Sequence, residues 1–232
     1  MEKTLLIGAS GLSREVLAVT EEGDTHVVFG ILDDGWADMG EHFSGLPVLG
    51  SIERATDYVD TKLLVCVGSG RAREQIVGRL AALGVDSGRY TTVIDPSVRN
   101  PARCAIGHGA ILLANVVLTA SVIIGDHVVI MPNVTLTHDD VVEDFATVAA
   151  GAVLGGGVRI GAAASIGMNA SVRQRLTVGT GAVLGMGAVL LEPLPAGEIW
   201  AGVPAAALHV AVSDHAALTP AADVTPSPEG QA

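Results

Sequence analysis

Residues 106–142 read IGHGAILLANVVLTASVIIGDHVVIMPNVTLTHDDVV, and an aliphatic residue returns there at every sixth position. The interval continues without a break to Leu190. The aliphatic positions are Ile106, Leu112, Leu118, Ile124, Ile130, Leu136, Val142, Val148, Leu154, Ile160, Ile166, Val172, Val178, Leu184 and Leu190. A six-residue period of this length is typical of a solenoid, in which each repeat forms one short strand and one corner.

A second series lies four residues after the first and is small or aliphatic at every position except Asp140. Its members are Ala110, Val116, Val122, Val128, Val134, Asp140, Ala146, Ala152, Val158, Ala164, Ala170, Leu176, Ala182 and Ala188. A coil can bury such residues only by stacking on coils about 4.8 Å away. Because the chain is 49% hydrophobic but only 3% aromatic, thin layers of small side chains fit its composition. We therefore predict a parallel β-helix.

The region before the repeat alternates between predicted strands and helices. Strands are expected over residues 3–8, 27–32 and 62–67, and helices over 12–22 and 71–83. This alternation predicts a small Rossmann-like α/β domain with a parallel sheet. We divide the chain into an α/β domain for a sugar or nucleotide (1–92), the β-helix (93–208) and a flexible tail rich in Pro, Ala and Asp (209–232).

Charge and composition limit the partners and the location. The net charge is −12 and no basic cluster is present, so nucleic acid is not expected as a partner. The apolar stretches are shorter than the roughly 20 residues that span a bilayer, and Met1–Gly11 does not resemble a signal peptide. We expect a cytoplasmic protein without a membrane partner. Cys66 and Cys104 belong to no ligand motif and are expected to be reduced.

Three candidate binding segments follow the three predicted strands of the α/β domain. They are Gly8-Ala9-Ser10-Gly11, Asp33-Asp34 and Gly68-Ser69-Gly70. Because parallel strands end at one edge of a sheet, these segments should lie together where α/β domains bind nucleotides. Free N–H groups of the first segment would suit a phosphate, and the aspartates would accept from ribose or base donors.

Each of these segments also has an interpretation without a ligand. The glycine-rich loop fits an ordinary tight turn, and it departs from the GxGxxG pattern. Asp33 fits the cap of a turn that ends at Gly35. Arg71 and Arg73, at the start of the next helix, would lie near bound phosphates or in solvent.

The hexad Leu136-Thr137-His138-Asp139-Asp140-Val141 contains the one break in the inner series. A break in a regular pattern often marks a functional site. A histidine can remove a proton from an amine or hydroxyl that attacks a thioester, and an adjacent carboxylate makes it a better base. His138 and Asp139 are therefore the candidate catalytic pair, with a surface histidine as the alternative.

Five stretches together resemble the NeuD/PglD family of sugar O- and N-acetyltransferases over roughly residues 3–208. They are GASG at 8–11, LDD at 32–34, GLPVLG at 45–50, the hexad at 136–141 and GVPA at 202–205. The resemblance implies a left-handed β-helix with three hexads, or 18 residues, in each of about five coils. It also implies a homotrimer that binds acetyl-CoA between two subunits and a sugar or nucleotide sugar in the N-terminal domain.

The family's functional residues match particular positions of this chain. The catalytic pair matches His138 and Asp139, and the coenzyme contacts match Thr147, Gly156, Met168 and Met186. The predicted substrate-binding residues are Gly8, Ser10, Gly11, Asp33, Asp34, Gly68 and Ser69. With 18 residues per coil, Gly156 should stack on His138 and its N–H could meet the thioester oxygen.

The sequence departs from the family pattern where the acceptor would bind, for example at Leu12 in place of a histidine. We predict N-acetylation of a nucleotide-linked 4-amino sugar, by direct transfer and without a metal. O-acetylation of a sialic-acid-type sugar and a non-catalytic nucleotide-binding subunit are the alternatives. A zinc carbonic anhydrase is not expected, because His108, His127 and His138 should not share a corner.

Overall fold

The computed structural model describes residues 1–22 and 25–208. The predicted tail, residues 209–232, lies outside the described part of the chain. Within that part, no helix has the length and apolar character needed to cross a membrane. Two hydrophobic regions correspond to the two predicted folds, one in the α/β region and one inside the β-helix.

The N-terminal region is a three-stranded parallel sheet with two α-helices. Its elements are β1 (Glu2–Ile7), α1 (Gly11–Glu22), β2 (His26–Leu32), β3 (His42–Phe43), β4 (Leu46–Pro47), β5 (Lys62–Val65) and α2 (Gly70–Ala82). The sheet order β2-β1-β5 brings the ends of all three predicted strands to one edge. Leu5, Ile7 and Leu63 are fully buried in its core, as expected for a sheet covered by helices.

The predicted left-handed parallel β-helix is confirmed and has about six turns. Its short strands are β6 (Val93–Ile94), β7 (Ala105–Ile106), β8 (Ile111–Leu112), β9 (Val117–Leu118), β10 (Ile123–Ile124), β11 (Val129–Ile130), β12 (Thr135–Leu136), β13 (Val141–Val142), β14 (Thr147–Val148), β15 (Val153–Leu154), β16 (Arg159–Ile160), β17 (Ser165–Ile166), β18 (Ser171–Val172), β19 (Thr177–Val178), β20 (Val183–Leu184), β21 (Val189–Leu190), β22 (Ile199–Ala201) and β23 (Ala206–Ala207). The solenoid exceeds the predicted five coils because strands outside the strict repeat, such as β6 and β22, also join its sheets.

The strands form three parallel sheets, and each strand pairs with the strand 18 residues further on, as Ile123 does with Val141. Three edges separate the sheets. Edge 1 contains the corners 107–109, 125–127, 143–145, 161–163 and 179–181. Edge 2 contains 113–115, 131–133, 149–151, 167–169 and 185–187. Edge 3 contains 119–121, 137–139, 155–157 and 173–175.

The α/β domain packs on the sheet between edges 1 and 2, where Ile111 and Val129 are buried against it. Arg73 joins the two regions and is itself completely buried. Its guanidinium donates to the carbonyl oxygens of His127, Val67, Gly68, Phe145 and Ala146 and to the Thr147 hydroxyl, at 2.7–3.0 Å. Both interpretations of Arg73 from the sequence are therefore wrong, since it contacts neither solvent nor a phosphate site.

His127 is part of the same domain interface. Its ring stacks on Phe145 with centroids 5.2 Å apart and meets Tyr90 edge-on at 4.5 Å. Burial lowers the pKa of His127 to about 4, so the imidazole is neutral at ordinary pH. This histidine supports the packing of the two regions.

Candidate active site

His138 and Asp139 form the corner of edge 3 in the middle of the β-helix. The imidazole Nδ1 lies 2.8 Å from Asp139 Oδ2. Asp139 has φ = 65°, a left-handed conformation that turns the chain sharply and that aspartate tolerates better than most residues. The contact to Nδ1 fixes the ring and leaves Nε2 available for proton transfer.

Gly156 lies in the next coil, directly against the imidazole. A methyl group at this position would overlap the ring, with His138 Cδ2 only 2.9 Å from the added carbon. The N–H of Gly157 donates to the His138 carbonyl oxygen at 2.8 Å, which holds the two corners together. In the described structure the Gly156 N–H has no hydrogen-bond acceptor, so it can bind an oxyanion.

A ladder of side chains follows edge 2. Gly187 N donates to the Met168 carbonyl oxygen at 2.7 Å, and Asn169 N donates to that of Ala150 at 2.9 Å, so these residues stack as the 18-residue period predicts. Met168 is 48% exposed and Met186 is 71% exposed. Neither methionine is a core residue of this chain, and together they form an apolar strip that suits a pantetheine arm or another subunit.

A cavity of about 420 Å³ lies between the start of α2 and the sheet from edge 1 to edge 2. Its lining residues are Gly68, Ser69, Gly70, Arg71, Ala163, Ser165, Gly181, Val183, Gly197 and Ile199. The Cα of Gly70 approaches the Phe145 carbonyl so closely that no side chain would fit there. The cavity joins the carboxyl edge of the α/β sheet to the β-helix, and Arg71 provides a positive charge at its wall.

Comparisons with known proteins agree with this architecture. The profile of the PglD N-terminal domain matches residues 3–80, and that of the bacterial transferase hexapeptide, with six repeats, matches residues 103–138. The acetyltransferase domain of PglB from Neisseria gonorrhoeae is 32% identical, with a TM-score of 0.81, over 90% of this chain and 100% of that one. The chain belongs to the NeuD/PglD-like family of sugar acetyltransferases.

Two further structures carry ligands. The PglB domain with acetyl coenzyme A is 31% identical to this acetyltransferase, with a TM-score of 0.79 over 89% of this chain and 99% of that one. PerB from Caulobacter crescentus, with CoA and GDP-perosamine, is 27% identical, with a TM-score of 0.79 over 90% and 98%. A search of the curated proteins gave no significant match.

The acetyltransferase brings three of its predicted substrate-binding segments to the carboxyl edge of the α/β sheet. Asp33 Oδ2 accepts from Ala9 N and Oδ1 accepts from Gly35 N, both at 2.7 Å. Asp33 thus caps its own turn, as the interpretation without a ligand expects, and also takes the first N–H after Gly8. The glycine-rich loop therefore has fewer free N–H groups for a phosphate than its sequence indicates.

Other predicted residues at this edge also have partners within the chain. Ser10 Oγ donates to the Cys66 carbonyl oxygen at 2.7 Å. Asp34 forms an exposed ion pair with Arg79 at 2.6 Å. Ser69 caps α2 by accepting from Ala72 N at 3.4 Å. Gly11 N–H, at the start of α1, has no acceptor in the described residues and is free for a ligand.

Two predicted coenzyme or catalytic positions of the acetyltransferase lie far apart on the prism. Thr147 is on the sheet between edges 1 and 2, where its hydroxyl donates to the Gly68 carbonyl oxygen at 3.1 Å. His138 is on edge 3 and projects away from the cavity beside Gly68. One chain therefore separates the candidate base from the candidate acceptor site. In the described residues no group of three His, Cys, Asp or Glu side chains is arranged to bind a metal.

Proposed function

We propose that this acetyltransferase moves the acetyl group of acetyl-CoA to the amine of a nucleotide-linked 4-amino sugar, with His138 as the general base. The observation that carries the proposal is the His138–Asp139 pair against Gly156, a base, its orienting carboxylate and a free N–H at one place. The resemblance to PerB, whose structure holds CoA and GDP-perosamine, supports an amino-sugar acceptor.

The transfer proceeds in one ternary complex. The sugar amine attacks the thioester carbonyl while His138 Nε2 takes a proton from the nitrogen, and Asp139 stabilises the resulting imidazolium through Nδ1. The Gly156 N–H binds the oxygen on which negative charge develops. The tetrahedral intermediate then expels CoA as a thiolate, which takes the proton back from His138. None of these steps requires a metal.

The active site is completed by a second copy of the chain in a homotrimer. His138 and Asp139 are 68% and 67% exposed, so their own chain leaves them open to a partner. The apolar strip of Met168 and Met186 on edge 2 lies on a different face and would meet the pair from a neighbouring subunit. Acetyl-CoA would then lie between the subunits, against Thr147, Gly156 and the two methionines.

The acceptor would occupy the carboxyl edge of the α/β sheet and reach the base of the adjacent subunit. Gly8, Ser10, Gly11, Asp33, Asp34, Gly68 and Ser69 remain the predicted contacts. The partners already held by Asp33 and Asp34 indicate that these aspartates also shape the binding edge. The cavity beside Arg71 provides the space between that edge and the β-helix.

Release of free thiol from acetyl-CoA tests the proposal. The acceptors are UDP-, GDP- and dTDP-linked 4-amino sugars together with sialic acid, and the product is identified by mass spectrometry. We expect turnover with a nucleotide-linked amino sugar and an amide product. An ester on a sialic-acid-type sugar would show O-acetylation, and binding of nucleotide sugar without thiol release would show a non-catalytic subunit.

Gly156→Ala should lower kcat by about 100-fold, the scale of losing one oxyanion donor or misplacing a base. The added methyl group displaces the imidazole of His138. Gly78→Ala is the control, because no atom lies within 4 Å of a methyl group added there. Initial rates and thermal melting of both variants check this, and a Gly156→Ala enzyme with wild-type kcat would exclude the proposed oxyanion site.

A further inference from the structure

Asp140 is a buried carboxylate in the apolar stack that fills the β-helix. Its side chain is completely buried, and the residues 18 positions before and after it in the stack are Val122 and Val158. A carboxylate in such surroundings is costly, and burial raises the pKa of Asp140 to about 6. The proposed mechanism gives Asp140 no part in proton transfer, so its presence needs another explanation.

Both oxygens of Asp140 bind backbone N–H groups of the candidate active site. Oδ2 accepts from Thr137 N at 2.7 Å, in the corner that carries His138. Oδ1 accepts from Val158 N at 2.8 Å, two residues after Gly156 in the next coil. One side chain therefore links the segment that holds the base to the segment that holds the oxyanion donor.

The hydrogen bonds of Asp140 replace the regular bonds of the repeat. At the neighbouring corners of edge 3, Thr119 N donates to the Leu136 carbonyl oxygen at 3.1 Å and Gly155 N donates to that of Val172 at 2.9 Å. At Thr137 the hydroxyl takes over this bond and donates to the Leu154 carbonyl oxygen at 2.9 Å. The catalytic corner consequently differs from the other corners of its edge.

The geometry points to Asp140 as a positioning residue that holds the His138 corner and Gly156 in the arrangement that transfer requires. This inference rests on the proposed function of His138. With an aliphatic residue at 140, Thr137 N and Val158 N would be free to return to the backbone acceptors used elsewhere in the repeat. The corner would then take the regular shape, and the imidazole would move relative to Gly156 without loss of the fold.

Asp140→Val, the residue type on either side in the stack, separates positioning from stability. We expect kcat to fall by about 100-fold, the cost of misplacing a reacting group by about 1 Å, with the KM for acetyl-CoA changed less than about threefold. The melting temperature at pH 7.5 should not fall. A raised pKa in the folded state means that the stabilising contribution is present below the unfolded value and lost as the pH rises through 6, so ionised Asp140 destabilises the fold at neutral pH.

The direction of this stability effect depends on the charges near Asp140. His138 lowers its pKa and Asp139 raises it, and its stacked neighbours are uncharged. Burial is the largest effect. A purely structural carboxylate would instead show a lower melting temperature in Asp140→Val, with kcat reduced only in proportion to the unfolded fraction.

Asp140→Asn and Asp126→Asn form a matched pair. Asp126 also accepts a corner N–H from the preceding coil, that of His108 at 2.7 Å, but on edge 1. We expect Asp140→Asn to lose at least tenfold in kcat, because an amide cannot accept from both N–H groups, and Asp126→Asn to stay within about twofold. Should Asp140→Val fail to fold, the isosteric Asp140→Asn decides the question alone.

The outcomes distinguish this inference from the proposed function. If His138→Ala is inactive while both Asp140 variants keep kcat within about twofold, the positioning role is wrong and His138 remains the base. If His138→Ala keeps the wild-type rate, the proposed function is wrong and the role of Asp140 falls with it. An equal loss in Asp126→Asn and Asp140→Asn would also overturn the inference.

Discussion

His138→Ala should lower kcat by about 1000-fold, within the 10²–10⁴ range of a general base, while the KM for acetyl-CoA changes little. The imidazole is the group with a free ring nitrogen beside Gly156, and Asp139 already orients its other nitrogen. Without it, the sugar amine must lose its proton to water. Initial rates of thiol release at saturating acetyl-CoA measure the effect.

His108→Ala is the matched control for that variant. His108 is an exposed histidine at the same position of its hexad, but on edge 1. It should retain wild-type kcat, which separates loss of the base from general disturbance of a corner. A His138→Ala enzyme that differs from His108→Ala by less than about tenfold in kcat would show that another group removes the proton.

Arg73→Leu should lower the free energy of unfolding by about 3–5 kcal/mol, as expected when a buried hydrogen-bond network loses its only donor. The substitution leaves five carbonyl oxygens and the Thr147 hydroxyl without the guanidinium. Because most of these acceptors join α2 to the β-helix, the loss should separate the two regions. Arg73→Lys should recover only part of it, since an ammonium has three donors in a different geometry.

The two tryptophans allow this separation to be measured, since Trp36 lies in the α/β region and Trp200 in β22. In urea, fluorescence from single-tryptophan forms should show the Trp36 midpoint shifting far more than the Trp200 midpoint. Arg79→Leu is the control: its exposed pairs with Asp34 and Glu53 should contribute less than about 1 kcal/mol. Equal destabilisation by the Arg73 and Arg79 variants would contradict the role of Arg73.

The prediction of the β-helix succeeded because the signal is local. Each coil repeats the same contacts with its neighbour, so the period of the aliphatic residues already contains the packing, and His138 and Gly156 stack as the count predicts. The predicted strands and helices of the α/β domain also appear, with ends shifted by one or two residues. Here too, alternating buried segments carry the information.

Arg73 and Asp33 show where sequence reasoning failed. On α2 alone Arg73 reads as a solvent-exposed or phosphate-binding arginine, and its burial follows only from the docking of the α/β domain on edge 1. Asp33 reads as a nucleotide ligand, but its partner Ala9 N belongs to a loop 24 residues earlier. Both contacts depend on the relative position of segments that no periodicity connects.

The sequence by itself determined the repeating fold, the coil period and the corner at which the pattern breaks, because these depend on contacts between identical neighbouring units. Only the tertiary structure decided what that break does. It showed that Asp140 turns both oxygens toward the backbone of His138's corner and of the next coil, and that the α/β domain covers a different sheet, leaving the catalytic pair exposed. Long-range contacts of single side chains decide such details, and a hydrophobic pattern does not encode them.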